Sequence, residues 1–344
     1  MVGRPNLSPR STVRYIGSKA YTLDRLHDLI SRRIPKGVLC DPFGGIGTVG
    51  SYFKRKGYTV WCGDLLTFAH CFQVARVENN RNPVFRRLRK ELNLGSRSQI
   101  IELLNRVRSN DGWFVTQYAK RRRFFTRGNA ARIEACRNCI RQWSRKGWVT
   151  RSEEAVLLAS LINSMDKVAN TAGTYYAYLK GFYRKAKKPF RFELMPHTPS
   201  KTACRSFLCE ASDLVAARAF DILYLDPPYN ERNYSNYYHL PETIARAEAP
   251  TTRGKAGIPV VHRPTSAFNS PTRAHQALLE LLSNARFRLL AFHYSDDGLI
   301  SPAQVRSILS QFGKVEHFAL KTKGYTTHSA SRTVKHRLYL VSHD

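Results

Sequence analysis

Residues 38–48 read Val-Leu-Cys-Asp-Pro-Phe-Gly-Gly-Ile-Gly-Thr, and this stretch decides the fold of the chain. Its apolar start predicts a short buried strand, its glycines predict a tight turn, and the residues after Gly47 begin a helix. A second strand is expected over 58–62, followed by Gly63-Asp64. The order of strand, glycine turn, helix, strand and acid is typical of the first half of a doubly wound α/β sheet. The stretch therefore predicts an α/β fold with a nucleoside-cofactor site.

The acids around this turn indicate what the ligand carries. Asp41 precedes the glycines and Asp64 follows the second strand, while no lysine follows the glycines as in a phosphate-binding P-loop. Such a site favours a cationic ligand without phosphate that bears an amine and a ribose, and S-adenosylmethionine fits this description better than NAD or ATP. Gly44 and Gly47 alone are equally compatible with a plain strand-to-helix turn.

A second chemical site is predicted where the apolar run of residues 221–225 ends in Asp226-Pro227-Pro228-Tyr229. Residues before proline are extended and proline has no N–H, so the Asp226 carboxylate and the Pro227 carbonyl are two acceptors held stiffly at a strand end. Together with the Tyr229 ring, they suit a planar amino group on a base that stacks on the ring. The alternative is a Pro-Pro turn capped by aspartate.

Composition points to a polyanionic partner. The 344 residues include 56 Lys and Arg against 25 Asp and Glu, a net charge of +31, which favours nucleic acid over a merely solubilising surface. The seven cysteines show no disulfide framework, which suits a cytoplasmic protein. No apolar run reaches the ~18 residues of a membrane span, so no membrane partner is expected.

Three parts are expected along the chain. Residues 1–74 and 207–344 form the two parts of the sheet domain, and residues 75–206 form a helical, basic insertion with helices over 100–107, 129–143 and 153–168. Basic and aromatic residues alternate in the insertion, which predicts a target-recognition region; a helical subdomain with a solvated basic face is the alternative. The predicted nucleic-acid contacts are Arg121, Arg122, Arg123, Lys180, Arg184, Lys185 and, beyond the insertion, Arg232. Cys136 and Cys139 are interpreted as packed helix residues rather than as half of a zinc site.

The sheet pattern resumes in the last third of the chain. Strands are expected over 207–210, 287–292, 315–320 and 337–341, with helices over 274–282 and 302–312 and a long loop over 246–271. Asp213 follows the first of these strands and is a further candidate to bind the cofactor's adenine amine.

These residues resemble the Dam-like (D12-class) DNA adenine methyltransferases. Residues 15–19, Tyr-Ile-Gly-Ser-Lys, are similar to motif X of that family, residues 41–47 to motif I and residues 226–229 to motif IV, in the family's order. Residues 236–245 and 294–300 are similar to segments of a branch associated with restriction–modification. Ser212-Asp213 stands where the family usually has Gly-Asp, and the insertion does not align with the Dam enzymes, so their GATC specificity is not carried over.

The resemblance implies a Rossmann-like S-adenosylmethionine-dependent methyltransferase that methylates the exocyclic amine of a flipped-out adenine in double-stranded DNA without a metal. The implied catalytic residues are Asp226, Pro227, Pro228 and Tyr229. Lys19 is expected to neutralise the methionyl carboxylate and Asp64 to bind the ribose. The implied cofactor-binding residues are Tyr15, Gly17, Lys19, Asp41, Pro42, Phe43, Gly45, Gly47, Asp64 and Asp213.

The expected setting is a cytoplasmic monomer, associated with a prokaryotic nucleoid or encoded by a phage, with a cognate restriction endonuclease as a further partner. Two rival functions remain at the level of sequence. One is an RNA base methyltransferase with the same pocket, and the other is a nucleic-acid-binding protein that retains the fold without catalysis.

Overall fold

The computed structural model describes residues 13–16, 19, 22–261, 263–321 and 335–342. The chain divides into two compact units. The sheet unit comprises 17–81, 198–235 and 264–344, and the helical unit comprises 1–16, 82–197 and 236–263. The helical unit thus overlaps the insertion expected over 75–206 and also takes in residues 236–263, which follow the second predicted site.

The described strands and helices agree in most places with the sequence pattern. The strands are β1 (Val38–Asp41), β2 (Thr59–Asp64), β3 (Arg205–Leu208), β4 (Ala219–Leu225), β5 (Thr252–Arg253), β6 (Ile258–Pro259), β7 (Arg286–Ser295), β8 (Lys314–Lys321) and β9 (Lys335–Ser342). The α-helices are α1 (Leu23–Ser31), α2 (Thr48–Arg55), α3 (Thr67–Gln73), α4 (Arg86–Glu91), α5 (Arg97–Arg106), α6 (Trp113–Val115), α7 (Arg127–Arg145), α8 (Arg151–Asp166), α9 (Ala211–Ala216), α10 (Tyr234–Tyr237), α11 (His239–Arg246), α12 (Ala274–Ser283) and α13 (Pro302–Leu309). Wider π turns follow α3 over Val74–Glu78 and α6 over Thr116–Lys120, and 3₁₀ turns span Arg184–Lys187, Ala267–Asn269 and Ser310–Phe312.

The sheet unit contains a seven-stranded sheet in the order β3-β2-β1-β4-β7-β9-β8. The first five strands in this order are parallel, and β9 runs antiparallel to both of its neighbours. The strand order reverses between β1 and β4, which pair through Leu39 with Ile222 and Cys40 with Leu223. Ligands of doubly wound sheets bind at such a reversal, outside the carboxyl ends of the strands. The predicted α/β fold is confirmed.

Burial on both faces explains why the central strands read as continuous apolar runs. In β4, Ile222 and Tyr224 enter the core that α1 and α2 cover, while Leu223 and Leu225 enter the core that α12 and α13 cover. Each fully buried side chain of this size contributes roughly 1.5–3 kcal/mol through the hydrophobic effect. The strand that leads to Asp226 is therefore anchored on both sides.

Local sequence signals also account for the helical unit. The helices expected over 100–107, 129–143 and 153–168 correspond to α5, α7 and α8. Thr126 caps α7 by accepting the Asn129 N–H, and Thr150 with Glu153 forms a capping box at α8.

Two features of this unit bear on earlier expectations. The loop expected over 246–271 contains the β5–β6 hairpin, where Gly254 and Gly257 adopt φ values of 69° and 70°. The Cys136 thiol donates to the Leu104 carbonyl at 3.1 Å, and no three His, Cys, Asp or Glu residues of the described segments are grouped to hold a metal ion.

Among the helices described, none is long and apolar enough to cross a membrane.

Candidate active site at the sheet reversal

Three carboxylates lie at the carboxyl ends of the adjacent parallel strands β2, β1 and β4. Asp41 and Asp64 are the last residues of β1 and β2, and Asp226 follows the last residue of β4. Asp41 is 1% exposed, and neither of its carboxylate oxygens has a hydrogen-bond partner of normal geometry in the described part of the chain. Burial raises the pKa of Asp41 well above its usual range, and the charges of Asp226 and Asp64 raise it further. The Lys19 charge and the Phe43 N–H offset this rise in pKa only in part, so Asp41 is a buried acceptor without a donor of normal geometry among the described residues.

Asp226 is paired with a lysine from the N-terminal motif. The Lys19 Nζ lies 2.5 Å from Asp226 Oδ2, and the side chains are 6% and 17% exposed. Burial raises the pKa of Asp226, while Lys19 acts in the opposite direction through its charge and its hydrogen bond. Lys19 was expected to face a methionyl carboxylate, whereas here it holds the Asp226 carboxylate in place.

The residues after Asp226 are fixed by their surroundings. Pro227 is buried, and Pro228 and Tyr229 are half-buried. The Tyr229 ring packs edge-on against Tyr294 and His336, with ring centroids 6.2 and 5.5 Å away. The Tyr229 carbonyl accepts the Leu299 N–H at 3.0 Å. An aromatic surface and two acceptors therefore stand together at the end of β4.

The glycine turn after β1 is tied to the end of β2. The Gly44 N–H donates to the Gly63 carbonyl at 2.9 Å, and the Gly45 N–H donates to Asp64 Oδ2 at 3.0 Å. The other Asp64 oxygen accepts the Leu66 N–H at 2.9 Å. Gly47 has φ 73°, a conformation that favours glycine. Asp64 thus ties the glycine turn to the end of β2.

The remaining predicted cofactor residues have different placements. Phe43 is half-buried and packs edge-on against Phe268 at 5.2 Å, next to the buried Pro42. Tyr15 belongs to the helical unit, where it stacks on Tyr238 at 5.0 Å. Gly17 lies outside the described residues.

Asp213 lies on a helix and not at a strand end. It is exposed in the first turn of α9, and β3 already ends at Leu208. Burial raises the pKa of the Cys209 thiol, and the charge of Asp213 adds to this effect, but Asp213 is not among the charges that act on Asp41. Its distance along the chain from the strand end explains the difference from Asp64.

The predicted nucleic-acid residues divide into exposed and bound groups. Arg121, Arg123, Lys180, Arg184 and Arg232 are exposed, and Arg123 also donates to the Lys180 carbonyl at 2.8 Å. Arg122 instead donates to the Gly254 and Lys255 carbonyls at 3.1 and 3.2 Å and to the Gln117 side chain at 2.8 Å. Lys185 is half-buried and donates to the Asp166 carbonyl at 3.3 Å. The guanidinium of Arg122 and the ammonium of Lys185 therefore stabilise their own unit.

Tyr224, His293 and His336 form a buried polar cluster that the sequence analysis does not predict. The Tyr224 hydroxyl lies 3.3 Å from His293 Nδ1, and the rings of His293 and His336 pack edge to face at 5.3 Å. Burial lowers the pKa of His293 well below its ordinary value and that of His336 to about 4, and the Lys19 charge adds to both shifts. Both rings are therefore neutral at neutral pH. His293 and His336 each lie one residue outside the strands expected over 287–292 and 337–341, and no pattern along the chain records that their rings meet.

A second unpredicted residue is Gln73, a fully buried glutamine at the end of α3. Its amide nitrogen donates to the Gly45 and Gly63 carbonyls at 2.9 and 3.1 Å. A glutamine among apolar helix positions was the available signal, and it does not reveal which backbone groups the side chain reaches.

Comparisons with known proteins agree with the motif order. Residues 15–308 match the family model of the D12 class N6 adenine-specific DNA methyltransferases. The chain is 32% identical over 321 residues to the type II methyltransferase M.FokI of Planomicrobium okeanokoites, a match that covers 91% of this chain and 49% of M.FokI. It is 30% identical over 307 residues to the modification methylase StsI of Streptococcus sanguinis, covering 87% of this chain and 46% of StsI.

The type II methyltransferase M.NlaIII of Neisseria lactamica is 30% identical over 312 residues, covering 88% of this chain and 90% of M.NlaIII. The chain thus spans about half the length of M.FokI and StsI, but most of the length of M.NlaIII. Among solved structures, a magnesium protoporphyrin IX methyltransferase from Synechocystis is 10% identical with a TM-score of 0.33, covering 94% of this chain and 78% of that one.

Proposed function

Because the chain belongs to the D12 class N6 adenine-specific DNA methyltransferase family, we propose that it transfers a methyl group from S-adenosylmethionine to the exocyclic amine of an adenine at a specific DNA sequence. The observation that carries the proposal is the pairing of two acceptors at the end of β4. Asp226 is held by Lys19 at 2.5 Å, and the Pro227 carbonyl follows it directly beside the sheet reversal.

The described residues fit the cofactor. The buried Asp41 carboxylate lacks a donor and its pKa is raised, so a cationic amino group such as that of the methionyl part would compensate it. Asp64 lies beside the glycine turn and is assigned to the ribose hydroxyls, and Phe43 offers a half-buried ring. S-adenosylmethionine supplies a methyl group on a sulfonium, which is an electrophile. We assign Gly45, Gly47 and Pro42 to the same pocket of the sheet unit. The roles of Tyr15, Gly17 and Asp213 as cofactor-binding residues stay proposals from the family resemblance.

The acceptor pair accounts for activation of the target amine. An adenine amine is planar and poorly nucleophilic because its lone pair is delocalised into the ring. Hydrogen bonds from its two N–H groups to the Asp226 carboxylate and the Pro227 carbonyl favour a tetrahedral nitrogen and stabilise the positive charge that develops on attack. Lys19 opposes the effect of burial on the Asp226 pKa, so it helps keep the carboxylate ionised for this task.

Tyr229 completes the base site. The target adenine must leave the duplex, which costs about a few kcal/mol, and stacking on an aromatic ring offsets about 1–3 kcal/mol of this. The edge contacts with Tyr294 and His336 hold the ring still, so less conformational entropy is lost when a base stacks on it. Pro228 fixes the backbone between the carbonyl and the ring.

The exposed cations of the helical unit form the proposed DNA surface. Arg232, in the sheet unit, is proposed separately as a DNA contact. Arg121, Arg123, Lys180 and Arg184 are available to phosphates, and the neighbouring Tyr176 and Tyr183 are 50% and 60% exposed. Phosphates favour the cations, and sugars or bases favour the rings. Arg122 and Lys185 are assigned to the scaffold of this surface because their side chains are bound to it.

A buried asparagine of the helical unit, Asn170, holds the backbone of this surface. The Asn170 amide nitrogen donates to the Arg123 and Leu179 carbonyls at 2.9 and 3.0 Å, and its oxygen accepts the Tyr183 N–H at 2.9 Å. One fully buried side chain thus fixes the backbone at three points near the exposed cations and tyrosines. A rigid backbone at these points lowers the entropy that binding must overcome.

Methylome sequencing of DNA from cells that express the protein tests the proposal. The expected result is N6-methyladenine within one sequence context, and its absence when Asp226 is replaced. Tritiated-methyl transfer to duplex DNA, compared with transfer to tRNA and rRNA, separates the nearest alternative. Label in RNA but not in DNA would overturn the DNA assignment, and no label together with no cofactor binding would favour a protein that only binds nucleic acid. Since M.FokI and StsI carry names of modification enzymes, we also propose a restriction endonuclease of the same specificity as partner.

A further inference from the structure

Gln73 joins the two loops that border the proposed cofactor pocket. Its amide nitrogen lies 2.9 Å from the Gly45 carbonyl, in the turn after β1, and 3.1 Å from the Gly63 carbonyl, near the end of β2. The side chain is fully buried, and its oxygen has no hydrogen-bond partner within the described ranges. The opposite orientation of the amide would place its oxygen against two carbonyl oxygens, so both amide hydrogens are committed to these bonds.

The glycines of the turn allow this helix to come close. A Cβ on Gly44 would lie 2.9 Å from the Gln73 amide nitrogen, and a Cβ on Gly47 or Gly50 would lie 3.1 Å from a Val77 methyl group. The three glycines, spaced every third residue, therefore form the face that receives the helix from Gln73 to Val77. The helix widens into a π turn directly after Gln73, over Val74–Glu78. Such turns occur frequently at functional sites because they re-aim nearby side chains.

The two bonds of Gln73 also fix the direction of nearby N–H groups. The peptide bonds of the described residues are trans, and the C=O and N–H of a trans peptide point in opposite directions. Anchoring the Gly45 carbonyl to Gln73 therefore turns the Ile46 N–H away from Gln73. The Gly45 N–H meanwhile donates to Asp64 Oδ2 at 3.0 Å, and Gly44 N–H donates to the same Gly63 carbonyl that Gln73 holds. One side chain thus controls the shape of the turn and its link to Asp64.

We infer that Gln73 is a positioning residue for S-adenosylmethionine, which sets the glycine turn and Asp64 in the geometry that the cofactor requires. This inference rests on the proposed function. A buried amide with an unpaired oxygen weakens the fold relative to a well-packed apolar side chain, so a role in the site explains the residue better than stability does. The effect of Gln73 should fall on cofactor affinity and leave DNA affinity unchanged.

Two substitutions of similar size test this role. Gln73→Met removes both donors, and Gln73→Glu replaces them with a carboxylate that the two carbonyls repel. Calorimetry with S-adenosylhomocysteine as the probe should show a Kd roughly 10-fold weaker for Gln73→Met, the effect of losing two ordinary hydrogen bonds. The KM for S-adenosylmethionine should rise by a similar factor, while kcat at saturation and the Kd for duplex DNA should stay within about threefold of wild type.

The pH dependence of the glutamate variant distinguishes positioning from packing. Gln73→Glu should bind the probe more weakly than Gln73→Met at pH 8 and should recover relative to wild type as the pH falls to 6, because a protonated carboxyl can donate one hydrogen bond. Gln73→Met should follow the wild-type pH profile. Gln117→Met is the control, since Gln117 is another buried glutamine at a π turn, within Thr116–Lys120 of the helical unit, and probe affinity should not change.

Thermal melting confirms that each variant is folded before binding is compared, and Gln73→Met alone suffices if Gln73→Glu does not fold. A probe Kd within twofold of wild type in folded Gln73→Met would overturn the inference, and so would equal weakening of probe and DNA. If the wild-type protein binds no probe and methylates nothing, the proposed function fails instead.

Discussion

Replacing Asp226 with alanine should separate catalysis from folding, because this carboxylate is unfavourable for folding and favourable for the reaction. Its pKa is raised by burial even though Lys19 lies 2.5 Å away. A carboxyl whose pKa is higher in the folded than in the unfolded state makes folding less favourable at neutral pH, where it must be ionised. The substitution also removes the nearest negative charge that raises the pKa of Asp41. Against this, Lys19 loses its partner at 6% exposure.

These opposing effects predict a free energy of unfolding at pH 7.5 that falls by less than the roughly 3–5 kcal/mol typical of removing one partner of a buried ion pair. Turnover should fall by at least ~10²–10³, about 2.7–4 kcal/mol of transition-state stabilisation, which is typical for the loss of one electrostatic group. The assays are single-turnover transfer of tritiated methyl groups to duplex DNA, and denaturant unfolding. Calorimetry should still detect binding of S-adenosylhomocysteine.

Asp221→Ala is the matched control at the other end of the same strand. Asp221 accepts the Val38 N–H at 2.8 Å and a hydrogen bond from Arg288 at 3.2 Å. Its loss should reduce the free energy of unfolding by about 1–3 kcal/mol and leave turnover per folded molecule unchanged. Wild-type-like turnover in Asp226→Ala would refute the catalytic assignment. Loss of the full ~3–5 kcal/mol in Asp226→Ala would refute the electrostatic reasoning, because nothing would then offset the loss of the pair.

Three further outcomes are expected. DNA affinity should fall steeply between 50 and 200 mM salt, with a log–log slope of about −0.9 per phosphate contact, and a flat response would argue against the basic surface. Charge reversal of Lys180 or Arg184 should weaken DNA binding and reduce that slope by about 1, whereas Arg122→Ala should lower the melting temperature and keep the slope. The free energy of unfolding should include a contribution from His336 that is lost as the pH falls from about 6.5 to about 4. The pKa of the buried ring is lowered to about 4, so over this range the unfolded chain takes up a proton that the folded chain does not. Comparing His336→Asn with wild type in urea isolates this contribution, because the acids whose raised pKa acts in the opposite direction are present in both proteins.

Much of the fold follows from local patterns in the sequence. The glycine turn, the strand before it and the prolines after Asp226 are short-range features, since they depend on backbone conformations that neighbouring residues allow. The helices of the middle region were predicted from the spacing of their apolar residues, and α5, α7 and α8 confirm them. The hairpin of β5 and β6 was missed because its strands have two residues each, too few to show alternation.

The sequence by itself determined the α/β fold and placed Asp41, Asp64 and Asp226 at strand ends. Parallel strands present their carboxyl ends at one edge, so side chains that follow such strands are brought near each other once the strand order is known. The tertiary structure decided which side chains meet there. Lys19 pairs with Asp226, which is remote along the chain, Gln73 reaches two loops, and Asp213 lies on α9 and not at the end of β3. Such pairings depend on distances between side chains that are remote along the chain, which no periodicity or spacing in the sequence records.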